Sequence, residues 1–193
     1  MGKLILIKHS LPEINPLVPS KKWTLSSEGF TRCGWLAERL ERYHLNQIFS
    51  STEIKAIETA QAISSQLGLS NRSIAGLHEN DRTNFPYFEN PEEWKQQFRT
   101  FFQKPNEKCI GNESAVEATT RFSKALQELI AEVTEGDLVV VAHGTVITLF
   151  TAAHNKIVPF EFWTSLSLPS YVVLDLDTFE LLEGPKNYPR TRE

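Results

Sequence analysis

The chain has 193 residues, of which 40% are hydrophobic, and its formal net charge is -4. A chain of this length can bury one substantial core, so we expect a single domain over residues 1–193. No run of basic residues could follow a phosphodiester backbone, which argues against nucleic acid as a partner.

The sequence also shows no sign of export or of covalent cross-links. The first apolar run, residues 4–7, is too short for a signal peptide, and no stretch approaches the ~20 apolar residues of a membrane span. Cys33 and Cys109 form no CxxC pair, so neither a disulfide scaffold nor a zinc site is expected. We therefore expect a protein of the reducing cytoplasm with no membrane partner, and leave its oligomeric state open.

Aliphatic runs and helical periodicities alternate along the chain. Residues 4–7 and 138–142 are unbroken aliphatic runs, typical of strands buried on both faces of a sheet. Ser26 has the position of a helix N-cap, and Gly68 ends a second helical stretch. This alternation predicts a three-layer α/β sandwich with a mainly parallel central sheet. Strands are expected at 4–7, 47–50, 73–77, 138–142, 171–176 and 179–182, and helices at 27–44, from 51 or 52 to 67, and at 91–102, 114–133 and 145–153.

A polar and aromatic segment occupies about residues 78–112. It begins HENDRTNFPYFENPEEW, which has prolines, several aromatic side chains and no clear period. Such a stretch between regular elements indicates a long ordered connection. We expect it to arch over the sheet edge as a cap.

Polar side chains suited to a phosphoryl group follow four of the predicted strands. Lys8 and His9 come directly after the first strand, and His143 follows the run 138–142. Lys55 lies one helical turn beyond the second strand, and Glu79 follows the third. Because ligands of open α/β sheets bind at the carboxyl ends of the strands, we expect these side chains to converge.

The same edge is expected to hold free amides of helices that begin near Ser51 and Thr145. Donors that converge from several directions can stabilise the charge of a transferring phosphoryl group. A neutral imidazole can attack phosphorus, and a carboxylic acid can protonate the leaving oxygen. The residues alone thus predict a phosphate site with a candidate nucleophile.

Several of these segments resemble motifs of the histidine phosphatase superfamily, also called the phosphoglycerate mutase-like family. LILIKHSLPE is similar to its aliphatic strand followed by Arg-His-Gly, with Lys8, His9 and Ser10 at the last three positions. FSSTEIKAIETAQAI is similar to the Ser-Ser-x-x-x-Arg-Ala-x-x-Thr-Ala motif, with Lys55 in the arginine's place. Four further segments resemble family motifs in the same order, so that the resemblance spans roughly residues 3–175. WTLSSEGFTRCGWLAERL is similar to the Leu-Thr-x-x-Gly helix, and LHEN is similar to the segment with an acidic residue after the third strand. GNESAVEATTRF is similar to the Gly-x-Glu-Ser segment, and VVVAHGTVI to the strand that ends in His-Gly.

The resemblance implies a phosphoglycerate mutase-like fold and a role for each matching residue. His9 would be the nucleophile that becomes phosphohistidine. Lys8, Lys55 and His143 would bind the phosphoryl oxygens, and Glu79 would protonate the leaving group and then activate water. No metal and no cofactor are implied. Because the chain lacks the long insertions of the glycolytic mutases, we expect a histidine acid phosphatase-type enzyme that hydrolyses small phosphomonoesters.

The sequence departs from the family motifs where phosphate would bind. Lys8 and Lys55 keep the charge of two arginines but lose the planar fork that grips two oxygens at once. Ser10 replaces a glycine, and its hydroxyl could donate to phosphate or its Cβ could crowd the loop. Arg82 could compensate by reaching the distal group of the substrate. Two functions therefore stay open: a phosphatase, and a weak or inactive phosphate-binding or regulatory protein on the same fold.

Other polar side chains are interpreted as structural, and the aromatic residues of the cap segment as packing. Phe85 to Phe88 are a candidate wall of the substrate pocket. The residues interpreted as structural are His44, His78, His154, Glu113, Ser114 and Arg121.

Overall fold

Six strands form the central sheet of the computed structural model, which describes residues 2–83, 85–133 and 135–189. The strands are β1 (Lys3–Lys8), β2 (Gln47–Ser50), β3 (Ser70–Ser73), β4 (Leu138–Ala142), β5 (Ser170–Asp175) and β6 (Leu181–Asn187). The α-helices are α1 (Ser27–Leu40), α2 (Ile54–Leu67), α3 (Pro91–Gln103), α4 (Ala115–Glu132), α5 (Gly144–His154) and α6 (Pro159–Ser165), and a 3-10 turn spans Ser20–Lys22.

The strand order β3-β2-β4-β1-β5-β6 makes the sheet mainly parallel. β1, β2, β3 and β4 run parallel to one another, whereas β5 is antiparallel to β1 and β6 is antiparallel to β5. In the central pair, Ile5 lies opposite Val139 and Lys8 opposite Ala142. The carboxyl ends of β1 and β4 therefore meet at one edge.

Helices cover both faces of this sheet, which confirms the predicted three-layer α/β sandwich. Successive residues of β1 point to opposite faces, so Leu4 and Leu6 join one core and Ile5 and Ile7 the other. The first core also takes side chains of α3, α4, α5 and α6, and the second takes those of α1 and α2. Burial on both faces explains the unbroken aliphatic runs of β1 and β4.

The third strand was predicted at 73–77, which is wrong. β3 spans Ser70–Ser73, and all four of its residues are exposed. An edge strand that pairs on one side needs no apolar side chains, so its backbone bonds to β2 left no hydrophobic pattern in the sequence. The apolar residues that attracted the prediction follow the strand, and Leu77 is fully buried in the core beyond it.

Several boundaries also differ from the sequence expectations. α2 begins at Ile54 rather than at 51 or 52, and α1 ends at Leu40 rather than at 44. β6 continues to Asn187, beyond the expected end at 182, because its backbone pairs with β5 as far as Ser170. α6 was not predicted, since its seven residues are too few to show a helical period.

The cap segment packs through its aromatic side chains. Phe98 and Phe101 of α3 are fully buried, and the Phe98 ring stacks on Trp163 of α6 at a centroid distance of 4.4 Å. Phe85 and Phe88 lie 5.4 Å apart and both contact Trp94. Within the described ranges, no helix has the length and apolar character needed to cross a membrane.

Candidate active site

Two imidazoles meet at the carboxyl ends of β1 and β4. The ring centroids of His9 and His143 are 5.2 Å apart with an interplanar angle of 60°. The backbone N–H of His9 donates to the carbonyl of Ala142 at 3.0 Å, so the parallel pairing of the two strands extends to the histidine itself. The strand order thus brings together the two rings that the sequence placed at neighbouring strand ends.

The surroundings of His9 fix which ring nitrogen carries its proton. Nδ1 lies 2.7 Å from the carbonyl oxygen of Ser10, and a carbonyl oxygen can only accept, so Nδ1 donates. In the neutral ring, Nε2 then carries the lone pair. Burial, followed by the nearby positive charges of His143 and Lys55, holds the pKa of His9 well below its usual value. The ring is therefore neutral at pH 7 and can act as a nucleophile through Nε2.

His143 is fully buried beside the end of β2. Its Nε2 lies 2.8 Å from the hydroxyl oxygen of Ser51 and 3.8 Å from a carboxylate oxygen of Glu53. Burial lowers the pKa of His143 to about 4, although Glu53 acts in the opposite direction. This ring is also neutral at pH 7.

Lys8 reaches the same pocket across the N-terminus of α5. Its Nζ donates to the carbonyl of Leu166 at 2.8 Å, which uses one of its three N–H donors. A Cβ added at Gly144 would lie 3.2 Å from Cε of Lys8, so glycine at that position leaves the lysine its path. Burial lowers the pKa of Lys8 to about 8, against the opposing effect of Glu79.

Glu79 is buried and held at the N-terminus of α5. The backbone N–H groups of Asn80, Thr145 and Val146 donate to its carboxylate at 3.0, 3.2 and 3.3 Å. Burial alone would raise the pKa of Glu79, but the charges of Arg82 and His143 together with the Asn80 amide lower it. The expectation that the α5 amides are free for an anion is wrong, because the Glu79 carboxylate already binds them.

Ser10 supports the loop that carries His9. Its hydroxyl donates to the carbonyl of Gly29 at 2.7 Å, and its backbone N–H donates to Thr59 Oγ1 at 3.0 Å. A Cβ on Gly29 would lie 2.1 Å from the carbonyl oxygen of Leu11, so only glycine lets α1 approach the loop this closely. The single hydroxyl hydrogen of Ser10 is thus used within the protein.

Arg82 lies between Glu79 and the aromatic cap. Its guanidinium is 3.7 Å from Glu79 Oε2 and lies over the rings of Trp94 and Phe98, at 5.3 and 5.7 Å from their centroids. Its side chain is 19% exposed, so part of the guanidinium faces solvent. The cap segment thereby contributes the planar guanidinium of Arg82 to a pocket whose two lysines have no planar fork of donors.

Comparison with known proteins shows the family and the fold. The sequence profile of the histidine phosphatase superfamily (branch 1) matches residues 4–180. The chain belongs to this superfamily. No match was found among curated proteins.

Solved structures of this histidine phosphatase fold align over almost the whole chain. A mycobacterial glucosyl-3-phosphoglycerate phosphatase is 22% identical with a TM-score of 0.75, and the alignment covers 95% of this chain and 98% of that one. YhfR of Bacillus stearothermophilus is 20% identical with a TM-score of 0.70, and a phosphoserine phosphatase mutant of Entamoeba histolytica is 18% identical with a TM-score of 0.72. For both of these, 95% of each chain is covered. The mycobacterial protein also has structures with VO3 and with inorganic phosphate.

The pocket of this histidine phosphatase superfamily member also contains the carboxylate of Glu53, which the sequence did not predict. Its Oε2 lies 2.6 Å from Nζ of Lys55, and its Oε1 accepts the backbone N–H of Glu79 at 3.0 Å. Burial opposes its ionisation, but the charges of His143 and Lys55 hold the pKa of Glu53 well below its usual range. The only hint in the sequence was an acidic residue two positions before Lys55, and the motif specifies no residue type at that position.

Lys55 is the partner of this carboxylate and is itself buried. Its Nζ also donates to the carbonyl of Ser20 in the 3-10 turn, at 2.8 Å. Burial lowers the pKa of Lys55, whereas Glu53 acts to raise it. Within the part of the chain that the structure describes, including this pocket, no three His, Cys, Asp or Glu side chains are grouped so that they could hold a metal ion.

Proposed function

We propose that the chain is a phosphatase that hydrolyses small phosphomonoesters through a phosphohistidine on His9. One observation carries the proposal: the lone pair of His9 Nε2 lies beside His143 in a buried pocket that also contains two lysines. A neutral imidazole held in one tautomer is ready to attack phosphorus without losing a proton first. Membership of the histidine phosphatase superfamily supports the same chemistry.

In the first half-reaction, Nε2 of His9 forms a bond to phosphorus and the ester P–O bond breaks. Lys8, Lys55 and His143 would bind the phosphoryl oxygens, and the protonated Glu79 would give its proton to the leaving oxygen. In the second half-reaction, the oxygen of water forms a bond to phosphorus while the carboxylate of Glu79 takes a proton from that water, the bond between phosphorus and Nε2 of His9 breaks, and inorganic phosphate leaves. The steps use side chains alone and balance without a metal or a cofactor.

The low pKa of Glu79 limits its ability to donate a proton in the first half-reaction. In the resting site this carboxyl group is ionised at pH 7, so it has no proton to give. The negative charge of a bound phosphoryl group raises the pKa of a nearby carboxyl group. We therefore propose that turnover is fastest at mildly acidic pH.

Arg82 would bind the distal part of the substrate. Its guanidinium lies beyond Glu79 at the cap, so a group attached to the leaving oxygen would approach it. Two of the relatives are named as a glucosyl-3-phosphoglycerate phosphatase and a phosphoserine phosphatase, and both of those substrates carry a carboxylate, a group that a guanidinium binds well. We propose a small, acidic phosphomonoester in the cytoplasm as the substrate class. Ser10 would contribute to phosphate binding only by giving up its bond to Gly29.

A second function is favoured by the Glu53–Lys55 ion pair. A carboxylate that neutralises a phosphate-binding lysine weakens the field on which phosphoryl transfer depends. The chain would then be a weak enzyme, or a phosphate-binding or regulatory protein on this fold.

Hydrolysis of p-nitrophenyl phosphate at mildly acidic pH separates the two functions. The control is His9→Ala, which removes the nucleophile. Turnover that disappears in the control supports the phosphatase. No turnover together with saturable phosphate binding, measured by calorimetry, supports the binding protein instead.

A further inference from the structure

Glu53 has the position of a helix cap but does not cap its helix. It is the N-cap residue of α2, and its side chain accepts none of the backbone N–H groups of that helix. Its carboxylate turns instead toward the pocket, where it contacts Lys55 and the backbone of Glu79. A local role in helix initiation therefore does not account for this acidic residue.

The contact limits what Lys55 can offer to an oxyanion. An ammonium group has three N–H donors. One donates to Glu53 at 2.6 Å and a second to the carbonyl of Ser20 at 2.8 Å, which leaves one for a ligand. The ion pair also neutralises the charge of Lys55, with both side chains almost completely buried and therefore weakly screened.

The same carboxylate lies close to the other groups that would hold the phosphoryl oxygens. Oε1 is 3.8 Å from Nε2 of His143, which is fully buried. Any phosphoryl group placed between His9 and His143 would bring its own negative charge toward Glu53. Like charges at such distances in a buried site repel strongly.

We propose that Glu53 is a resident counter-anion that weakens oxyanion binding by occupying Lys55. The inference rests on the proposed use of this pocket for a phosphoryl group. Glu53 acts through Lys55, so it is a positioning residue that sets the affinity of the site. Removing its charge strengthens phosphate binding, whereas loss of a merely structural residue would weaken it.

Titration calorimetry with inorganic phosphate on the full chain tests this inference. Glu53→Gln removes the charge and keeps an oxygen that can accept from Lys55 or from the Glu79 backbone. We expect it to bind phosphate about tenfold more tightly than the wild type, near the lower end of the scale for a close charge pair. The matched control is Glu58→Gln on the same helix, whose carboxylate accepts the backbone N–H of Leu25 at 2.6 Å; its phosphate affinity should stay unchanged.

A double-mutant cycle shows whether the effect passes through Lys55. Glu53→Gln should give a smaller gain when Lys55 is already replaced by Gln, because only the direct repulsion between Glu53 and phosphate then remains to be relieved. Glu53→Met provides a second variant without the charge, should the glutamine variant fail to fold. A folded charge-free variant that binds phosphate no more tightly than the wild type overturns the inference, as does an equal gain in the Lys55→Gln background.

The outcome is separable from that of the proposed function. Turnover of p-nitrophenyl phosphate by the wild type, with no gain in phosphate affinity on loss of Glu53, would leave the phosphatase proposal standing and remove this one. Tighter phosphate binding by Glu53→Gln without turnover in any variant would support this inference and remove the phosphatase proposal.

Discussion

The ring centroids of His9 and His143 lie 5.2 Å apart although the two residues are far apart in the sequence. Each follows a buried aliphatic strand, and the parallel pairing of β1 with β4 sets the distance between them. One ring is bonded through Nδ1 to the carbonyl of Ser10, which leaves its Nε2 free to attack. Replacing His9 and replacing His143 should therefore reduce turnover to different extents.

His9→Ala should abolish turnover of p-nitrophenyl phosphate, because it removes the proposed nucleophile. His143→Ala should lower kcat by about 10²–10³-fold, as expected for one lost donor to the transition state. The measurement is steady-state kinetics, together with labelled substrate quenched in alkali to trap phosphohistidine. His44→Ala, an exposed imidazole, is the control and should match the wild type. Label retained by folded His9→Ala would contradict the assignment.

The affinity for phosphate should fall as the pH rises from about 7 to 9. The pKa of Lys8 is lowered to about 8, so its ammonium is charged below that pH and neutral above it. Inorganic phosphate gains negative charge in the lower part of this range, which by itself would favour binding to cations, so a fall in affinity reports on the protein. Calorimetry at several pH values should show the fall in the wild type and a flatter curve in Lys8→Gln. Lys22→Gln, an exposed lysine, should retain the fall. Identical curves for Lys8→Gln and the wild type would exclude Lys8 as its cause.

Much of the site could be predicted because strand ends are visible in a sequence. The aliphatic runs of β1 and β4 are fully buried, and a buried parallel strand needs such a run, so the positions of His9 and His143 follow from hydrophobicity alone. Lys55 required the motif, since an isolated lysine on a helix is usually exposed.

Other parts of the site could not be predicted because they depend on side-chain direction. Nothing in the sequence separates a carboxylate that caps its own helix from one that turns toward a lysine, so Glu53 was missed. The Glu79 carboxylate takes the α5 amides through a contact between distant segments, and no local pattern records it. The polar edge strand β3 is stabilised by backbone bonds, which leave no hydrophobic period.

Glu79→Gln should slow substrates with poor leaving groups far more than p-nitrophenyl phosphate. An alkyl alkoxide needs a proton as it departs, whereas p-nitrophenolate does not. We expect a loss of about 10²–10⁴-fold in kcat/KM, which reports the first half-reaction alone, on an alkyl phosphate and a much smaller loss in kcat/KM on the nitrophenyl ester. Glu89→Gln, an exposed carboxylate of the cap segment, is the control. Equal losses on both esters would show that Glu79 is not the proton donor.

Arg82→Ala should raise KM for phosphomonoesters that carry a distal carboxylate, with little effect on inorganic phosphate binding. A lost charge-assisted hydrogen bond of this kind corresponds to about tenfold or more in KM. Arg99→Ala is the matched control, since Arg99 lies in the cap segment and also stacks on an aromatic ring, that of Phe160 in α6, at 3.9 Å. Unchanged kinetics of Arg82→Ala on every substrate tried would rule out its role.

Arg121 holds the loop that carries Glu79, in agreement with its structural interpretation from the sequence. Its guanidinium donates to the carbonyls of Gly76, His78 and Glu79 and pairs with Glu113 at 2.7 Å. Arg121→Ala leaves these acceptors without their donor and should lower the free energy of unfolding by about 2–3 kcal/mol, less than a fully buried pair because the side chain is 20% exposed.

Urea unfolding measures this loss, and two further variants show its cause. Lys124→Ala, whose side chain is 76% exposed on the same helix, should stay within about 0.5 kcal/mol of the wild type. Arg121→Lys should be intermediate, because an ammonium cannot reach three carbonyls and a carboxylate with the fixed geometry of a guanidinium. A loss in Arg121→Ala no larger than that in Lys124→Ala would mean that the Glu79 loop is held by its other contacts, the α5 amides and Glu53.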